Sequence, residues 1–125
     1  MSFFITGTDT GVGKTYVTRL ILENLRDAGV DAVGYKPVAC GDREDASILS
    51  TASGGIPVEE INPVYLNTPV APYVACMLEN RTVEPATLIA GFHHLTAAQW
   101  FGRNDTVDAE LGSRFRAELK ALAKQ

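Results

Sequence analysis

The run Gly7 to Thr15, G-T-D-T-G-V-G-K-T, holds residue types that bind phosphate. Its glycines permit a backbone curl that turns successive N–H groups inward, toward anionic oxygens. Lys14 supplies an ammonium for β- and γ-phosphates, and the Thr15 hydroxyl is a ligand for Mg2+. A helix that starts here adds its unpaired N–H groups and the positive end of its dipole to the anion site. Phosphate loops commonly place four residues between the first glycine and the G-K pair. Counted from Gly7, five intervene here. A glycine-rich turn that merely links a strand to a helix is the plain alternative, and G-K-T at such a junction argues against it.

The elements that must position this loop are legible on both sides of it. Ser2 to Thr6 (S-F-F-I-T) is a short β-favouring run ending at Gly7. After the loop, Val17, Leu20, Ile21, Leu25 and Ala28 recur at helical spacing, and Gly29 stands where a helix would stop. Ala32 to Val38 (A-V-G-Y-K-P-V) reads as a second strand, closing at Pro37. Strand, glycine-rich turn, helix and strand make a βαβ unit with parallel strands. Further on, Asp45 to Ser53 is expected as a short helix ended by Gly54 and Gly55. Asn62 to Pro72 carries three prolines and reads mostly as extended loop, with a third strand possible at Val64 to Leu66. Short helices are expected at Tyr73 to Glu79 and from Pro85 to about Ala98, and a last one after Thr106 with Val107, Leu111, Phe115, Leu119 and Leu122 along one face. Gln99 to Asp105 does not resemble a buried strand.

Composition bounds the function classes. The 125 residues are 46% apolar and 21% charged, which fits one globular domain and excludes a disordered or collagen-like chain. Fifteen acidic against eleven basic residues give a net charge of −4, which disfavours nucleic acid or an anionic membrane surface as the main partner. Cys40 and Cys76 are too few and too far apart for a disulfide framework and read as reduced thiols. No signal peptide or long apolar run is visible, so the expected location is cytoplasmic.

The longer loop spacing, followed by G-Y-K-P-V, resembles dethiobiotin synthetase, an ATP-dependent carbon–nitrogen ligase of biotin biosynthesis. Arg43 to Leu49 (R-E-D-A-S-I-L) and the N-P-x-x-x-x-x-P-x-x-P loop from Asn62 agree in order, and Leu88 to Ala98 is similar to the helix before the family's third strand. The resemblance implies a phosphate-loop, three-layer α/β fold with a parallel sheet, here reduced to few strands. It implies a homodimer acting on 7,8-diaminononanoate, CO2 and ATP with Mg2+. The diamine would capture CO2 as a carbamate, the γ-phosphate would activate it as a mixed anhydride, and the second amine would close the ureido ring. Carried onto this sequence, Asp9, Thr10, Gly11, Val12, Gly13, Lys14, Thr15, Tyr16 and Asp45 would contact the nucleotide. Thr15 and Asp45 would hold the metal, and Thr10, Lys36 and Cys40 would contact the diamine or its carbamate, with Lys36 and Lys14 catalytic. Lys36, at the carboxyl end of its strand, lies on the edge where α/β sheets bind ligands. The plain readings are a solvated strand-end lysine for Lys36 and a helix cap for Asp45.

Two departures from the family pattern stand out. Position 40 is Cys where the family usually has a hydroxyl residue, and a thiol is the weaker donor. The family's apolar strand ending in V-E-G-x-G-G, with an acidic metal ligand, has no counterpart here. The expectation is therefore a single phosphate-loop domain over 1–125, in which 1–98 resembles the N-terminal half of the family and 99–125 is an atypical junction and terminal helix. It is read as a shortened or internally deleted form. A catalytically impaired nucleotide-binding remnant, or a non-enzymatic dimerisation module, is the alternative. His93 and His94 fall on the later helix, away from Cys40, and read as ordinary helix residues.

Overall fold

The computed structural model describes residues 2–101. Helix α1 (Lys14–Asp27) starts where the phosphate loop ends. It stops at Ala28, where Gly29 (φ 83°) takes the left-handed conformation. The Gly29 N–H then reaches the Arg26 carbonyl (2.9 Å) and the Val30 N–H the Leu25 carbonyl (2.9 Å), the paired bonds that close a helix C-terminus. Strand β1 (Val38–Cys40) follows, then α2 (Glu44–Ala52), the single-turn α3 (Val58–Ile61) and strand β2 (Val64–Leu66). Helices α4 (Pro72–Glu79) and α5 (Pro85–Phe101) each begin on a proline, whose fixed φ suits a first turn and whose missing N–H costs nothing there.

β1 and β2 pair parallel, with Val38 opposite Val64 and Cys40 opposite Leu66. A βαβ unit is thus present, and the mixed α/β class with a parallel sheet is borne out. It lies one unit later in the chain than the sequence predicts. Ser2 to Thr6 joins no ladder: strand propensity is realised only against a partner, and no further strand stands beside it among the described residues. Residues 32–37 are also not laddered, because their polar groups are taken by other partners. The Gly34 N–H donates to Ser53 Oγ (2.8 Å), and the Lys36 N–H donates to the Ile61 carbonyl (2.9 Å). The ladder therefore begins after Pro37, later than the predicted 32–38.

The main core joins Leu22 of α1 to Ala46, Leu49 and Ala52 of α2, with Ile56, Ile61 and Leu95. A second cluster of Val64, Leu66 and Ala75 seats α4 on the sheet, and Val38, Cys40, Cys76 and Leu88 pack against it. The α1 stripe divides differently from expectation. Leu22 is buried and Leu25 packs on the core, whereas Val17, Leu20 and Ile21 are exposed. The side of α1 that carries those three has no sheet to cover, since 2–6 forms none. The helices expected at 45–53 and 73–79 appear within a residue of their predicted ends, and the one expected from Pro85 starts there and runs three residues past Ala98. The last predicted helix, after Thr106, and most of the predicted junction lie outside the described residues, although α5 already extends into that junction as far as Phe101. No helix among the described residues is long and apolar enough to cross a membrane.

Candidate nucleotide and metal site

Gly11 (φ 74°) and Gly13 (φ 97°) both adopt the left-handed region, which is how the loop curls onto the start of α1. Gly13 is the N-terminal cap of that helix and offers no side chain to it. The first intrahelical bond is Val17 N–H to the Gly13 carbonyl (3.0 Å), so the main-chain donors of the first turn before it have no helical partner. Lys14 folds back over the loop, its Nζ donating to the Asp9 carbonyl (2.7 Å). Asp9 accepts from the Thr10 N–H (2.7 Å) and fixes the loop's first half. Val12 is exposed, and Tyr16 is exposed with the Arg19 guanidinium 5.9 Å from its ring centre.

Asp45, the second residue of α2, joins this loop to the segment before β1. Lys36 Nζ stands 3.1 Å from its Oδ2, and the Thr15 hydroxyl is near enough to favour the ionised form of the same carboxylate. Burial alone would raise the Asp45 pKa and is the largest single influence. The Lys36 hydrogen bond and the nearby Thr15 hydroxyl, with the charges of Lys36 and Lys14, outweigh it and hold the carboxyl below its ordinary value. The Lys36–Asp45 pair is partly exposed, so it adds at most about 1 kcal/mol to stability. Its weight is geometric: Lys36 and Asp45, nine residues apart, are paired, and Lys14 and Thr15 of the loop lie near enough to act on the same carboxylate.

Cys40 lies apart from that meeting point. Alternation along an extended chain puts Lys36, Val38 and Cys40 on one side, but the Cys40 thiol packs under α4. Burial, then the neighbouring Cys76 and Glu79, raise its pKa, and only the Lys36 charge opposes them. The thiol therefore stays protonated, and both cysteines are unbridged. Glu79 accepts from the Thr68 N–H (2.7 Å) and hydroxyl (2.8 Å); these bonds, aided by the charge of Arg81, pull its pKa down. His94 sits 3.1 Å from Glu60 on the α3 side, away from the loop.

A hard dication prefers oxygen donors, and Mg2+ in nucleotide sites takes one or two protein ligands together with phosphates and water. The Thr15 hydroxyl and the Asp45 carboxylate, brought to the same side of the loop, fit that donor chemistry. Among the described residues no cluster of three or more His, Cys, Asp or Glu side chains offers a metal a site of its own.

Sequence reasoning passed over the residues that brace this point. Asn62 is fully buried, and its amide donates to the Lys36 and Val64 carbonyls (2.9 Å each). Arg43, capping α2, donates from Nε to Asn62 Oδ1 (3.0 Å) and from Nη2 to the Asn62 carbonyl (2.9 Å), with its guanidinium 4.9 Å from the Tyr65 ring centre. The available signal was an amide within I-N-P-V, where apolar neighbours on both sides imply burial and hence a need for partners.

A family model described as an AAA domain matches residues 1–101. The chain belongs to that family. Among its relatives, the ATP-dependent dethiobiotin synthetase of Akkermansia muciniphila is 49% identical over 78% of this chain and 46% of its own length. Those of Aromatoleum aromaticum and Alteromonas mediterranea are 40% and 38% identical, over 94% and 76% of this chain and 54% and 46% of their own lengths. The resemblance read from G-T-D-T-G-V-G-K-T and G-Y-K-P-V is borne out. This AAA-domain chain spans about half the length of the relatives it matches.

Proposed function

We propose that the chain carries the nucleotide and metal half of a dethiobiotin synthetase site, acting with ATP and Mg2+ on 7,8-diaminononanoate and CO2. What supports this reading is the Lys36–Asp45 pair, close to Thr15, beside a glycine loop that curls onto the start of α1. Phosphate oxygens would take the free N–H groups of the loop and the first turn of α1, with Asp9 to Gly13 shaping the cradle and Tyr16 at its exit. Lys14 would leave the Asp9 carbonyl for the β- and γ-phosphates. Thr15 and Asp45 would hold the metal, which neutralises phosphate charge when bound. Lys36 would turn from Asp45 toward the carbamate and balance its charge during phosphoryl transfer. Thr10 and Cys40 would flank the diamine, with the neutral thiol only a weak donor.

In the reaction so read, one amine adds to CO2 and loses a proton, giving a carbamate. A carbamate oxygen attacks the γ-phosphorus and ADP leaves. The second amine attacks the activated carbonyl, phosphate leaves, a proton is lost and the five-membered urea closes. We further propose that 1–125 is one phosphate-loop domain, cytoplasmic, acting as a homodimer and without nucleic acid or membrane as partner.

The test is phosphate release from ATP, Mg2+ and bicarbonate with and without the diamine. Diamine-dependent release, lost together with nucleotide binding in Lys14→Ala, is the expected result. Nucleotide binding without diamine-dependent release would leave the remnant reading in its place. ATP affinity unchanged in Lys14→Ala would overturn the phosphate-loop assignment itself.

A further inference from the structure

Asn62 makes contacts that a turn residue does not require. Its two amide hydrogens and its amide oxygen are all engaged, so the cost of burying an amide is met in full. The partners are the notable part. One amide bond holds the carbonyl of Lys36, while the neighbouring Ile61 carbonyl holds the Lys36 N–H at 2.9 Å. Lys36 is thereby pinned on both sides of its main chain by residues 61 and 62. The amide oxygen and the main-chain carbonyl of Asn62 together grip Arg43, the residue from which α2 starts and which stands two positions before Asp45. The third bond, to Val64, fixes Asn62 itself to the start of β2.

We infer that Asn62 is the positioning residue of the site, setting the separation of the Lys36 ammonium and the Asp45 carboxylate through the main chain of one and the helix start of the other. The inference rests on the nucleotide and metal reading above. Arg43 is the second member of the brace. Its planar guanidinium donates to two oxygens of one residue while lying over Tyr65, a geometry that lysine cannot reproduce. None of these bonds reaches residues 7–15, so the brace acts on the metal side of the site and not on the phosphate cradle.

Asn62→Asp keeps the shape and removes the two donors, and Arg43→Lys keeps the charge and removes the fork. The readout is the affinity for a fluorescent ATP analogue in EDTA and in Mg2+, with direct Mn2+ binding followed by electron paramagnetic resonance. In both variants the metal-free affinity should stay within about twofold of the parent. The gain on adding Mg2+ and the affinity for Mn2+ should fall by about tenfold or more, as when outer partners of metal ligands are removed. A purely structural role would lower both affinities together, and that pattern overturns the inference. An undiminished Mg2+ gain overturns it as well. Should Asn62→Asp fail to fold by circular dichroism, Arg43→Lys decides alone. A parent protein with no Mg2+-dependent gain would overturn the functional reading and this inference with it, whereas a normal parent with unaffected variants overturns only this one.

Discussion

Asp45 shows how one carboxylate can be tuned by neighbours of opposite effect. Burial works against its ionisation, and Lys36, Thr15 and Lys14 more than compensate. The sign of the resulting pH dependence follows directly. The folded carboxyl ionises at lower pH than it does in the unfolded chain, so its contribution to stability is fully present above the ordinary aspartate pKa. That contribution is lost as pH falls through the depressed folded value. Glu79, held by Thr68, acts in the same direction. Because Asp45 is half-exposed, the contribution is small and solvent screening reduces it further. Thermal melts of the parent and of Asp45→Asn should therefore run parallel near neutrality and converge below about pH 4. A gap between them that widens on acidification would contradict the pairing of Asp45 with Lys36 and Thr15.

Between the elements, the turn after β1 is packed tightly against main chain. Gly41 has φ 87°, and a Cβ there would stand 2.7 Å from Pro69 Cβ and 3.0 Å from Pro69 Cα. The Tyr65 hydroxyl also donates to the Gly41 carbonyl (2.7 Å), so the turn cannot simply move away. Gly41→Ala should cost about 2–4 kcal/mol, left-handed strain and steric conflict together, read as a lower urea midpoint at unchanged slope. A change within about 0.5 kcal/mol would mean that the turn relaxes freely. The helices were legible in the sequence because their signals are local: Gly29 ends α1, Gly54 and Gly55 follow α2, and Pro72 and Pro85 open α4 and α5. The strands were not, because pairing depends on a distant partner. Phe3, Phe4 and Ile5 have full strand propensity and no ladder, while the short Val64–Leu66 pairs inside a proline-rich loop. At the site, the loop motif and the G-Y-K-P-V and R-E-D-A segments named Thr15, Lys36 and Asp45. The buried brace of Asn62 and Arg43 stayed hidden, since a polar residue beside a proline reads as a turn until its surroundings are known.

Across the whole molecule, the unladdered N-terminal run and the outer side of α1 carry one consequence together. Phe3 and Phe4 are 76% and 91% exposed, and Val17, Leu20 and Ile21 are open as well. Lone apolar residues on a surface are ordinary, but two consecutive phenylalanines and a helical stripe at spacing i, i+3, i+4 are not. Covering these five side chains would gain on the order of 5–10 kcal/mol, allowing for what is already buried. Both copies of a pair contribute, so the gain doubles to about 10–20 kcal/mol against an association cost of about 4–15 kcal/mol, and a net of about 8 kcal/mol corresponds to a micromolar dissociation constant. The expected observation is a weight-average mass in sedimentation equilibrium that rises above the 13.4 kDa of one chain as concentration increases from about 1 to 100 μM. Phe4→Lys with Ile21→Lys should return the mass to that of one chain, because an ammonium at either place must be desolvated for the faces to meet. Dye binding provides an independent check, since the parent should enhance the fluorescence of an apolar probe and the double variant should do so less. A parent mass fixed at 13.4 kDa over the whole range, with no probe enhancement, would mean that these side chains are covered within the chain itself.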